Sequence, residues 1–305
     1  MAAGRITTRR TWSGTSRTAA ERPVASPHER EVLAWRARRI ARLIGPEGWL
    51  ALVGLFWLEE GDNPVGSDSS CRVILPADKA PGRVGTIALS KAGGRFEAGP
   101  RSGVTIIGAA VTTVELLDDS DGDPTVLELG SLRFNLIRRF DRLAVRVRDT
   151  ESPERQGFRG IDSYPIDPSW RFEARYEPHQ PTRASRVPTV LGIEEVYATP
   201  GALAFVVGGQ THRLEAFLGP GETDLFIVFG DLTNRAETYR GGRYLYTAPP
   251  DDRGIVILDF NKAYNPPCVF TPYATCALPL PANRLPLGVE AGEKRYHPAF
   301  SGENP

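Results

Sequence analysis

The chain has 305 residues, 41% hydrophobic and 24% charged, which suits one large β domain or two smaller ones. Its 37 basic side chains balance 37 acidic ones, so no net field draws it toward nucleic acid or an anionic membrane. Three cysteines do not make a disulfide framework, and the longest apolar run, residues 49–58, is about half a membrane span.

Residues 1–25 are rich in Arg, Thr, Ser and Ala without periodicity and read as a disordered tail. They hold no apolar core of a secretory signal, so the expected location is the cytoplasm. A helix follows. Ser26 as N-cap, Pro27 at the first helical position and Glu29 form a capping box. Leu33, Ala37, Ile40 and Ile44 recur at helical spacing, and Gly45-Pro46 supplies the stop. Arg36, Arg38, Arg39 and Arg42 fall on the other faces, which predicts a solvated basic surface.

From Trp49 onward short runs rich in Val, Ile, Thr and Phe are bounded by Gly, Pro, Asp and Asn. No long amphipathic helix interrupts them, which argues against a parallel sheet. The expected fold is mostly β: an N-terminal helix followed by antiparallel sandwich- or barrel-like units. The expected division is a helix plus β unit over 26–150, a proline-punctuated ordered connector over 151–188, and a second β unit over 189–297.

The second unit carries the chemistry-bearing residues. Leu225–Phe229 and Ile255–Leu258 are continuous apolar runs, expected to be strands buried on both faces. Each ends in an aspartate with an asparagine behind it, Asp231 with Asn234 and Asp259 with Asn261. If the strands are neighbours, Asp231 and Asp259 share a polar pocket as an acid/base pair, a clamp or hard-metal ligands. Otherwise they cap local turns. Gly241-Gly242 permits a hairpin turn or close ligand approach, and Arg243 just after it is a carboxylate-binding candidate.

Cys268 and Cys276 admit three readings: two structural thiols, a redox-sensitive pair, or part of a zinc site that would need two further ligands. The prolines around them leave the backbone short of ladder partners, so Asn261, Asn265 and Asn283 have a structural use too. Two functions remain open. A pocket lined by Arg243, Asn261, Tyr264 and Asn265, with Asp231 and Asp259, binds or transforms a small polar molecule. Alternatively the block is a structural brace in a non-catalytic interaction module.

The run DFNKAYNPPCVFTPYATC from Asp259 to Cys276, with the following NRLP and AGEK, resembles the proteins grouped as domain of unknown function 1684. Gly48-Trp49-Leu50, Gly54–Leu58, Phe158–Ile161 and Gly241–Tyr244 extend the resemblance over roughly residues 30–296. Ala277 stands where that pattern has proline. The resemblance implies one shared architecture and brings no activity. Separately, Asn63–Pro76 resembles the opening of a forkhead-associated domain and Gly130–Ile137 its closing strands. The Ser-x-x-His of that fold is absent, with Pro81-Gly-Arg-Val-Gly in its place. That resemblance therefore implies a β-sandwich and not phosphothreonine recognition.

Overall fold

The structure, a computed structural model, describes residues 25–120, 122–139, 141–219 and 222–297. The segment read as a disordered tail lies outside these, apart from Ala25. The helix α1 (Pro27–Ile44) begins as expected: the Ser26 hydroxyl accepts from the Glu29 N–H at 3.0 Å, and Glu29 accepts from the Ser26 N–H.

The first half holds two sheets. One contains β1 (Leu52–Trp57), β6 (Thr105–Ile106), β7 (Ala109–Ala110), β9 (Leu127–Leu129), β10 (Leu132–Arg139) and β11 (Arg142–Asp149). The other contains β2 (Gly61–Gly66), β3 (Val73–Ile74), β4 (Gly85–Ser90), β5 (Gly93–Ala98) and β8 (Thr113–Leu116). Their inward residues, among them Val65, Ile87, Phe96, Phe134, Leu136 and Val145, form one core. The alternation along each strand puts these side chains on one face, giving a sandwich.

A short helix, α2 (Pro153–Gln156), leads to the second half. There a six-stranded antiparallel sheet runs β16-β15-β14-β13-β12-β17. Its strands are β12 (Arg171–Pro188), β13 (Glu194–Val207), β14 (Gln210–Leu218), β15 (Leu225–Phe229), β16 (Arg243–Thr247) and β17 (Ile255–Asp259). The sheet curls until its edges meet, where the Thr247 hydroxyl donates to the Ile257 carbonyl at 2.7 Å. Leu203, Phe205, Leu214, Ile227, Phe229, Leu258 and Phe260 fill this half-barrel.

The connector read over 151–188 ends earlier, because Arg171–Pro188 is the long strand β12. Its prolines misled the sequence reading. Pairing with β13 breaks between Pro178 and Arg183, where missing N–H groups interrupt the ladder at little cost. Pro200 and Gly201 likewise sit at a break in the β13–β14 register rather than between two strands.

The helix corrects a second expectation. Leu33 and Ile44 are 48% and 37% exposed, and the buried residues are Val32 and Leu43. The inward stripe is His28, Val32, Trp35, Arg36, Arg39 and Leu43, so two arginines read as solvated face the protein. Arg36 donates to the Tyr164 carbonyl at 3.1 Å and Arg39 to the Asn265 carbonyl at 2.9 Å. Lys262 pairs with Glu31. The helix thus docks on the second half through hydrogen bonds and arginine stems rather than through its most apolar stripe.

Candidate functional site

β15 is buried at all five positions, as its continuous apolar run predicts. Leu225, Ile227 and Phe229 face the half-barrel. Phe226 and Val228 face outward and are covered by Ala274, Cys276 and Ala277. The proline-rich segment therefore serves as the second layer over the sheet. β17 differs from its expectation, since Ile257 is 38% exposed and only one face is buried.

Asp231 and Asp259 do not share a pocket. Each aspartate has its own set of partners. Asp231 caps the 3-10 turn Leu232–Arg235 and accepts from the Thr233 N–H at 2.8 Å, the Thr233 hydroxyl at 2.5 Å and the Val289 N–H at 3.2 Å. The Asn234 amide donates at 3.5 Å and Arg243 at 2.9 Å, the Asp231 and Arg243 side chains both at 0% exposure. Asp259 caps the turn Phe260–Lys262, accepting from the Asn261 backbone N–H at 3.1 Å and its side-chain amide at 2.9 Å. His28 lies 2.9 Å from its other oxygen.

Arg243 explains the AGEK end of the motif. Besides Asp231 it donates to the carbonyls of Val289 at 2.8 Å, Ala291, and Glu293 at 3.4 Å. One planar guanidinium thus serves three carbonyls of the Val289–Glu293 segment. Phe229 lies 5.3 Å beneath the guanidinium. The preceding Gly242 is at φ +91°, where a Cβ would stand 2.5 Å from the Phe229 carbonyl and from Pro279. The close approach is to protein, not to ligand. Gly242→Ala is expected to destabilise by about 1–3 kcal/mol, read as a lowered urea midpoint with an unchanged slope.

The asparagines repeat one device. The Asn261 side chain accepts from the Asp167 N–H at 2.9 Å and donates to the Asp167 carbonyl at 2.8 Å. Asn283 does the same with Glu215, at 2.7 and 2.9 Å, and also donates to the Val228 carbonyl at 2.9 Å. A carboxamide carries the donor and acceptor of a peptide group, so it replaces a missing strand neighbour. The need is plain at Asn283: β14 and β15 pair only at Phe217 and Phe226, and Asn283 fills the gap beyond. Asn265 donates to the Lys294 carbonyl at 2.7 Å, and its N–H reaches Glu293 at 2.7 Å. Burial raises the Glu293 carboxyl above the ordinary glutamate range against the pull of Arg39 and that N–H. Glu293 was not singled out in the sequence; its place in AGEK was the available signal.

Tyr264, unlike the capping aspartates, lines an open groove. A groove of about 1090 Å³ runs between the end of α1 and the β15–β16 edge, with Trp35, Trp49, Phe226, Tyr244, Tyr246 and Tyr264 among its walls. The rings follow one another. Trp35 lies 6.1 Å from Tyr264, Tyr264 5.8 Å from Tyr244, and Tyr244 4.9 Å from Phe226, which stacks on Tyr246 at 4.8 Å. The Arg39 guanidinium sits 4.6 Å over Tyr264. Arg42, Glu222 and Asp224 also line the groove, with no ion-pair partner among the described residues. Burial, then Glu222 and Asp224, push the Tyr246 hydroxyl to about 12, so it remains a donor at neutral pH. Trp35 and Tyr246 were not singled out and Arg42 was taken as solvated, because the groove is assembled from helix and sheet residues far apart in the chain.

Cys268 and Cys276 adjoin each other, the Cys268 N–H donating to the Cys276 sulfur at 3.1 Å. Among the described residues, no group of three or more His, Cys, Asp or Glu side chains is placed to hold a metal ion. No described helix is long and apolar enough to cross a membrane.

Comparisons with known proteins agree with the motif. The family described as protein of unknown function, DUF1684, matches residues 156–294. No curated protein matches the chain. Among solved structures, the solution structure of an uncharacterized protein from Haloarcula marismortui is 31% identical, over 47% of this chain and 80% of that one, with a TM-score of 0.40. A structure from work on phosphothreonine-dependent forkhead-associated domain interactions is 24% identical, over 30% of this chain and 79% of that one, with a TM-score of 0.21. The match over residues 156–294, where the brace and the groove's sheet wall are built, places that half of the chain in the DUF1684 family.

Proposed function

We propose that the protein binds a small, flat polar molecule in the groove between α1 and the β15–β16 edge, and that the Asp259–Lys294 block braces that groove. The observation that carries this reading is the unbroken row of aromatic rings that crosses from Trp35 on α1 to Tyr246 on the sheet. Such faces favour a planar ring or a cation over them. Arg42, from α1, and Glu222 and Asp224, from the chain just before β15, supply charges to orient it. Asp231, Asp259, Arg243, Asn261 and Asn265 then act as the groove's support, each engaged with neighbouring protein groups. The molecule would be met in the cytoplasm, and neither nucleic acid nor membrane is required.

The test is a ligand-observed NMR screen of nucleosides, nucleotides, aromatic amines and amino acids against the whole chain. At least one class is expected to bind, and Tyr246→Ala or Arg42→Ala is expected to weaken it at least about tenfold, roughly 1.4 kcal/mol, without lowering stability. Binding untouched by both substitutions contradicts the groove assignment. Absence of binding by every class supports an interaction module instead.

A further inference from the structure

A second site stands independently of the groove's reading. Cys268 occupies the 3-10 turn Pro267–Val269 and is half-buried. It lines a cleft of about 340 Å³ with Tyr239, Arg240, Val269, Arg295 and Tyr296. Its sulfur is 3.5 Å from the Tyr239 hydroxyl. Cys276 is 6% exposed, and its sulfur accepts from the Cys268 N–H at 3.1 Å. One thiol is thus open to solvent-borne reagents, and the second is shielded but held against it. The third cysteine, Cys71, is buried elsewhere and donates to the Gly82 carbonyl at 3.5 Å.

We propose that Cys268 and Cys276 form a peroxide-reactive dithiol, with Cys268 oxidised first and Cys276 closing an intramolecular disulfide. The difference in exposure suits those roles, Cys268 being half-buried and Cys276 buried. A hydrogen bond from Cys276, opposed by burial and aided by Tyr239, lowers the Cys268 thiol below the ordinary range. The same hydrogen bond, then burial, raises Cys276. Reactivity follows the thiolate.

In the first step the Cys268 thiolate attacks one oxygen of a hydroperoxide. The S–O bond forms as the O–O bond breaks, and the departing alkoxide takes a proton and leaves as alcohol, or as water from hydrogen peroxide. In the second step the Cys276 sulfur attacks the sulfenic sulfur. The S–S bond forms, the S–O bond breaks, and hydroxide leaves with the Cys276 proton as water. The two thiols lose two electrons to the peroxide, so no other oxidant is needed.

The experiment treats the whole chain with equimolar hydrogen peroxide, blocks remaining thiols and maps the tryptic peptides. The peptide Ala263–Arg284, which holds both cysteines, is expected to lose two hydrogens and become unblockable until reduced, while Cys71 stays free. Cys276→Ser is expected to accumulate a dimedone-reactive sulfenic acid at Cys268, and Cys268→Ser to leave Cys276 unoxidised. In the wild-type protein, Cys268 alkylation by iodoacetamide should rise with pH through a midpoint below the ordinary thiol value of about 8.5. That wild-type profile needs no variant to fold. The proposal is overturned if Cys71 or Cys276 reacts as fast as Cys268. A Cys268 sulfinic acid formed without any disulfide, or a midpoint at or above the ordinary thiol value, also overturns it.

Discussion

Arg243→Met is expected to lower the unfolding free energy by about 3–5 kcal/mol. The substitution keeps most of the apolar stem but leaves Asp231 as an unpaired charge with no exposure to water. It also removes the donor from the carbonyls of Val289, Ala291 and Glu293, so the last layer over the half-barrel loses its anchor. Arg243→Lys keeps the charge but not the planar fork, and one ammonium cannot span a carboxylate and three carbonyls; an intermediate loss is expected. Adding Asp231→Asn to Arg243→Met should recover part of the stability, because the neutral side chain no longer needs a cation while still capping Leu232–Arg235. Urea unfolding measures all three. A wild-type midpoint for Arg243→Met would mean that the ion pair is dispensable.

The second large effect is expected at Asn283. Asn283→Asp keeps the shape and removes both donors. It places a carboxylate against the carbonyls of Glu215 and Val228 at a fully buried position. A loss of about 3 kcal/mol or more is expected, against about 2 kcal/mol for Asn283→Ala, which leaves the same groups unsatisfied but buries no charge. The order of the two variants is the informative result. Aspartate tolerated better than alanine would show that the carboxamide is not acting as a substitute peptide group.

The fold was largely legible because its signals are local. Ser26, Pro27 and Glu29 announce α1 through the geometry of a helix start. Leu225–Phe229 announces a strand buried on both faces because no polar residue interrupts it. What failed depended on partners. The inward face of α1 was misassigned because apolar spacing favours Leu33 and Ile44, whereas docking is decided by the distant carbonyls of Tyr164 and Asn265, which accept from Arg36 and Arg39. The ends of β12 and β13 were obscured by prolines that occupy ladder breaks.

The candidate residues were legible as important and illegible as to role. An aspartate at a strand end followed by Asn is compatible with a site or with a cap, and only the placement of Arg243, His28 and Asn261 separates these. Likewise, Tyr264 looks no different in sequence from a core tyrosine. It becomes a wall residue because α1 brings Trp35 and Arg39 against it.

Native-state hydrogen exchange tests most directly whether the Asp259–Lys294 block is a brace. The amides to follow are those of Gly230, Asn265, Leu285, Val289 and Glu293. They are held by the Asn283 carbonyl, the Glu293 carboxylate, the Gly230 carbonyl, the Asp231 carboxylate and the Ala263 carbonyl, respectively. In a brace these amides open only with the whole half-barrel, so their exchange free energies should equal those of β13 and β15 and approach the global value. Opening several kcal/mol below that value, with β13 and β15 still protected, would contradict the account and mark the block as a locally mobile segment.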